Sequence, residues 1–216
     1  MNMTLDTLIK LTATDRSSMH GGDGKWTKNR WRSVTPPLDP CIHGLHVVTI
    51  RQAIAWLGPR IGIAEVGGTR LDEPDKTIVE RARIIEWLPT WNERTARLFA
   101  ADCAEHVLHL FEDRHPDDDR PRKAIAATRD YAEGRITEAA RYAARSAADS
   151  ADSAAADSAS RWAARSAAYS AARSAAYSAA RWAARSAAYS AARSAAYSAE
   201  AEWQAQRLLE HLRGER

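Results

Sequence analysis

RWAARSAAYSAARSAAYSAA, residues 161–180, is followed at 181–200 by the same letters with one change, Glu200 standing where Ala180 stood. Residues 141–160 are a decayed copy that begins RYAARSAA. Each copy is a string of tetrads in which Arg or Tyr, usually followed by Ser, precedes two alanines. Alanine is the best helix former, and neither Gly nor Pro interrupts residues 135–213, so the stretch is predicted helical. Four residues at 100° each overshoot a turn by roughly 40°, so the Arg/Tyr row creeps right-handedly around the helix and returns after roughly 36 residues, or about 54 Å. A two-stranded coiled coil winds the other way with a pitch near ~150 Å, which makes a long straight homodimeric coil a poor match. A break in the helix is expected within 149–160, where Asp and Ser can cap and turn the chain.

Outward from the repeat the composition changes. Leu, Ile, Val, Phe and most of the Trp crowd into residues 1–113, whereas the repeat offers mostly Ala and Ser. The net charge of +3 hides a polarity: residues 161–199 carry six Arg and no acid, leaving −3 for the remainder. Arg161, Arg165, Tyr169, Arg173, Tyr177, Arg181, Arg185, Tyr189, Arg193 and Tyr197 thus form a candidate interaction surface for phosphates or an acidic protein. The same residues also suit a solvated face or the packing of helices against alanine. Nucleic acid is the less favoured partner, and self-association through the alanine face is open. Two cysteines, Cys41 and Cys103, make no disulfide framework and suit a reducing compartment. No apolar run approaches the ~20 residues of a membrane span, and no signal segment opens the chain, so a cytoplasmic protein is expected.

In the first half, Leu5, Leu8, Ile9 and Leu11 suit a short helix or strand, and the run from Ser17 to Gly24 reads as a loop. Leu45–Val48 follows a turn and is β-branched, hence a strand. Thr49 can cap a short helix through Ala53, Ile54, Trp56 and Leu57, closed by Gly58-Pro59. Residues 61–66 read as a strand ending at Gly67-Gly68, and the alternation over 77–88 favours another strand over a helix. Thr90-Trp91-Asn92-Glu93 matches a capping box, and Phe99, Cys103, Val107 and Leu110-Phe111 give the following helix an apolar face. A helix beginning at Pro121 runs to Gly134. The expected fold is an α+β domain at 1–90, a two-helix connector at 91–134 and a mainly α, alanine-rich repeat region at 135–216.

Two clusters carry possible metal chemistry: Cys41, His43 and His46, and Cys103, His106 and His109. Neither has the paired ligand spacing of a structural zinc site, so buried thiols and surface imidazoles are expected, with no metal and no cofactor. Trp26, Trp31, His46, Trp56 and Glu65 could instead line a pocket in which aromatic faces hold a ligand and a carboxylate receives a hydroxyl. The alternative is that these tryptophans are core. No phosphate-cradling glycine loop and no Ser-His-Asp order is present.

Residues 26–91, through Cys41-Ile42-His43-Gly44-Leu45-His46, Trp56-Leu57 and Ala64-Glu65-Val66, resemble a bacterial and phage domain of unknown function with a Cys-x-x-Gly-x-His signature. Residues 101–134, ADCAEHVLHLFEDRHPDDDRPRKAIAATRDYAEG, resemble the start of the alanine-rich helical family known as putative immunity proteins. In that family an acidic, Pro-containing loop joins two helices before alanine-rich repeats. The resemblance implies a non-catalytic role: an immunity-type or phage accessory protein that binds a protein or small-molecule ligand and neutralises or sequesters it. Gly44-Leu45-His46, the Ala53/Trp56 segment and the Glu65 strand are also similar in order to ADP-ribosyltransferase-like folds, which implies a nucleotide-binding alternative. The basic residue and paired acid of that fold's catalytic set are not identifiable in this sequence.

Overall fold

The structure, a computed structural model, describes residues 2–19, 24–40, 42–154 and 195–216. Two compact units emerge: Met1–Trp91 together with Leu208–Arg216, and Asn92–Arg207.

The first unit is an antiparallel sheet of β1 (Leu8–Thr12), β2 (Arg32–Ser33), β3 (Leu45–Thr49), β4 (Arg60–Asp72) and β5 (Thr77–Trp87). The order is β2-β5-β3-β1-β4, and β4 also pairs with β5, so β5, β3, β1 and β4 close into a ring. Closure removes most free edges, which open sheets must otherwise protect. β-branched residues supply the strands and the interior: Ile9, Val47, Ile61, Ile78, Val79 and Ile84 are all essentially inaccessible. Trp26, 1 % exposed, packs with Val47, Val79, Ala82 and Ile84.

The strands at 45–48, 61–66 and 77–88 stand where their patterning put them, and the ambiguous N-terminal segment is β1. Two expectations change. The segment after Thr49 is only a 3₁₀ turn at Ala53–Ala55. Thr49 and Gln52 do exchange the expected capping bonds (3.0 and 3.2 Å), but the helical backbone ends at Trp56, before Gly58-Pro59 is reached. Nor does β4 end at Gly67-Gly68. It continues through an irregularity between Gly67 and Arg70, where Gly68 takes φ +74° and the Glu80 carboxylate accepts from the Thr69 amide and hydroxyl (2.8 and 3.0 Å). Glycine here bends the strand without terminating it.

The second unit is helical, with α1 (Glu93–His106), α2 (His109–Glu112), α3 (Arg120–Ala132), α4 (Glu138–Ala154) and α5, which spans Ala195–Arg213 and so enters the first unit. The capping box at α1 lies two residues beyond the expected one. Asn92 accepts from the Thr95 amide (3.2 Å), and the Thr95 hydroxyl accepts from the Asn92 amide (2.9 Å). Thr90 donates instead to the Leu212 carbonyl (2.6 Å) within the first unit. α1 also stops at His106, so the apolar row continues into a separate short helix. Pro121 lies in the first turn of α3, and Gly134, at φ +74°, follows its end. Ala101, Ala104, Leu108, Ala124, Ile125 and Ala148 form the core, small residues letting the helices approach closely. Ala148 comes from the first repeat copy. Within 149–160, residues to Ala154 are helical, while 155–160 and the copies up to residue 194 lie outside the described residues.

Candidate functional site

The first unit holds a cavity of about 500 Å³ lined by residues of β1, β3 and the loops around them. Trp26, His46 and Trp56 line it, together with Lys10, Arg32 and Lys76. Lys10 projects from the middle of β1 and is 8 % exposed. Its ammonium donates to the His46 carbonyl (2.7 Å) and lies 5.0 Å from the centre of the Trp26 ring. The Arg32 guanidinium lies over the same ring at 5.0 Å, and Lys76 lies 5.4 Å from the Trp56 ring. Burial, reinforced by the Arg32 charge, lowers the Lys10 pKa to about 8. The Trp26 indole donates to the Ser18 hydroxyl (3.1 Å) and the Trp56 indole to the Asp75 carbonyl (2.8 Å), fixing both rings.

Trp31 and Glu65 do not line this cavity. Arg83 donates to Glu65 through Nε and Nη2 (2.9 and 2.7 Å), and Arg81 and Arg83 lie over the Trp31 ring at 4.7 and 4.8 Å. The five residues grouped from sequence therefore separate into a cavity trio and a surface cluster. Lys10 was missed because a lone Lys inside LIKLT reads as the solvent-facing position of an alternating strand. In the structure both faces of β1 are covered, and Ile9, Lys10 and Leu11 are buried in succession.

The second unit contains a network of partly buried charge. Asp102, 7 % exposed, receives Arg129 (2.7 Å) and lies 3.7 Å from Arg207, while Arg129 also reaches Glu105 (2.6 Å). Glu200, 5 % exposed, accepts from Gln204 (2.8 Å) and pairs with His106 Nδ1 (2.7 Å). Trp203 stacks on His106, with ring centres 3.8 Å apart and planes 7° from parallel. Glu200 is the one letter by which the last repeat copy departs from its predecessor, a signal that could have flagged it. A second pair of buried arginines, Arg97 and Arg141, lies over the Tyr131 ring at 5.0 and 4.8 Å.

The described members of the two Cys-His clusters make other contacts. Cys103 is buried, its pKa pushed well up by burial and then by the Glu200 and Asp102 charges, which makes it a poor nucleophile. His106 is held by Glu200, and His109 contacts the His106 carbonyl (3.2 Å). His43 contacts the Thr35 carbonyl (2.7 Å), and Cys41 lies outside the described residues. Among the described residues no group of three or more His, Cys, Asp or Glu is placed to hold a metal ion, and no helix is long and apolar enough to cross a membrane. Of the candidate interaction surface, Arg161 through Arg193 lie outside the described residues, and Tyr197 falls within α5.

Residues 86–211, more than half of the chain, match the family model described as Imm-5 like putative immunity protein. No curated protein and no solved structure matches the chain.

Proposed function

The chain belongs to the Imm-5 like putative immunity protein family, and from that premise we propose that it acts in the cytoplasm by binding a partner protein and neutralising it, without chemistry of its own. The observation that carries this reading is where the match falls: residues 86–211 contain the whole helical unit, Asn92–Arg207. The polar interior of that unit supports it. Asp102, Glu105 and Glu200 are each engaged by Arg129, Arg207 or His106, and the Cys103 thiol is buried and held protonated. Groups arranged this way hold helices in register and present a preformed surface, which lowers the ordering cost of association. A protein partner is favoured over nucleic acid for this unit, because the arginines described in it are largely taken up by carboxylates and aromatic rings.

The test is neutralisation. The products of the reading frames flanking the gene are expressed singly and together with the full chain. One of them is expected to arrest growth alone, to be relieved by co-expression, and to co-elute with this protein as a stoichiometric complex. Relief without a complex, or no relief of any arrest, would defeat the reading.

A further inference from the structure

We infer that the cavity of the N-terminal sheet is a binding site for a small molecule carrying an anionic head on an apolar body, with Lys10 as the anchor for the head. This stands apart from the immunity reading, since the cavity belongs to the first unit and its lining residues all precede the matched segment.

The volume is the first ground. About 500 Å³ lies within the roughly 300–1,000 Å³ range of small-ligand pockets. The wall is the second. Ile9, Leu11, Leu45, Val47 and Val48 supply aliphatic surface, and Trp56 supplies an aromatic rim. Charge is the third. Lys10, Arg32 and Lys76 all line the space, and no Asp or Glu does among the described residues. An ammonium on a strand interior loses its hydration, and isolated buried charge is normally neutralised by a counter-charge close by. The described residues give Lys10 one hydrogen bond, to a neutral carbonyl, and a nearby cation, Arg32. An entering anion would supply the missing counter-charge. Ile42, 81 % exposed, lies at the edge of the same cavity, so apolar surface continues to its mouth.

The probes are 8-anilinonaphthalene-1-sulfonate and its neutral counterpart N-phenyl-1-naphthylamine, titrated by fluorescence into the full-length protein. The sulfonate is expected to bind more tightly than the neutral amine. Lys10→Met should weaken the sulfonate by roughly tenfold or more, the scale of a charge-assisted hydrogen bond, and leave the amine within about twofold. Lys76→Gln should weaken the sulfonate less, because the Lys76 ammonium already has the Asp75 carboxylate 3.8 Å away, and it gives a readout should Lys10→Met fail to fold. The sulfonate does not titrate near neutrality. Its affinity should therefore fall as pH rises from 7 to 9.5 and Lys10 loses its proton. Arg32, His46 and Lys76 line the cavity beside Lys10. Displacement by benzoate and by phenyl phosphate then distinguishes a carboxylate ligand from a phosphate one. Equal affinity for the two probes, a sulfonate affinity indifferent to both Lys substitutions, or displacement by neither anion would overturn the proposal.

Discussion

A buried lysine beside an arginine destabilises the fold for as long as it carries its proton. The Lys10 pKa is lowered to about 8, so between that value and its ordinary 10.5 the unfolded chain holds a proton that the folded chain has released. Stability therefore rises with pH across this window, and the Lys10 share of the rise is on the order of 3 kcal/mol. Urea unfolding of wild type and Lys10→Met from pH 7 to 10 should show the variant more stable at pH 7 and the difference closing toward pH 10. A constant difference would show that Lys10 is solvated. At Gly44 the constraint is steric. Its φ is +145°, and an added Cβ would sit 2.1 Å from the Ile78 side chain, so Gly44→Ala should cost roughly 3 kcal/mol or more in the same assay. Neither residue announces its role in the sequence. A glycine before a strand and a lysine within one are ordinary, and their environment is made by β5 and β2, tens of residues away. The tryptophans were easier to notice because they are large and few, yet their number alone could not say which share a cavity.

Elements were more legible, since hydrophobic period is a local property. The alternation over 77–88 survives in the middle of β5, where Ala82 and Ile84 are inaccessible and Arg81 and Arg83 are not, while Thr77, Ile78 and Val79 are buried in succession. Boundaries were less legible because they depend on competition among neighbouring side chains. Thr90 and Asn92 can both cap a helix, and Thr90 is diverted to the Leu212 carbonyl, leaving Asn92 as the cap. Asn92→Ala is accordingly expected to cost about 1 kcal/mol and Thr90→Val to leave the start of α1 intact, as read by amide exchange over residues 93–97. The charged network of the helical unit spans elements far apart in sequence, so no local pattern encodes it. Asp102→Asn would leave Arg129 to Glu105 alone and Arg207 without its partly buried acid. Because both arginines retain some solvent, a loss of about 2–3 kcal/mol is expected, toward the lower side of what breaking a buried pair costs.

At the scale of the whole molecule, the α+β sheet followed by helices was anticipated from composition, but the return of the C-terminus to the first unit was not. Leu208, Leu209, His211 and Leu212 are at most 3 % exposed, and Leu208–Arg216 belongs to the same unit as Met1–Trp91. Alanine-rich helix ahead of this segment gives no hint of the change, which begins only where QAQRLLEHLR replaces the tetrads. Among the bonds that fasten the segment, Thr90 donates to the Leu212 carbonyl at 2.6 Å and Arg213 donates to the Met3 carbonyl. Leu212 is thus both buried and held by its backbone, so truncating it removes apolar contact at a site with little freedom to collapse. Leu212→Ala is expected to destabilise the first unit by about 2–4 kcal/mol, whereas Arg213→Gln, which removes the bond to Met3 and an exposed ion pair with Glu215, should cost about 1 kcal/mol. Hydrogen exchange resolves where the loss falls. In Leu212→Ala, the amides of Leu8–Thr12 in β1 and of Arg60–Ile63 in β4 should lose protection, because these strands share a unit with the C-terminal segment. The amides of α3, at Arg120–Ala132, should keep theirs. If α3 loses protection and β1 does not, the C-terminal leucines stabilise the helical unit alone, and the sheet stands without them.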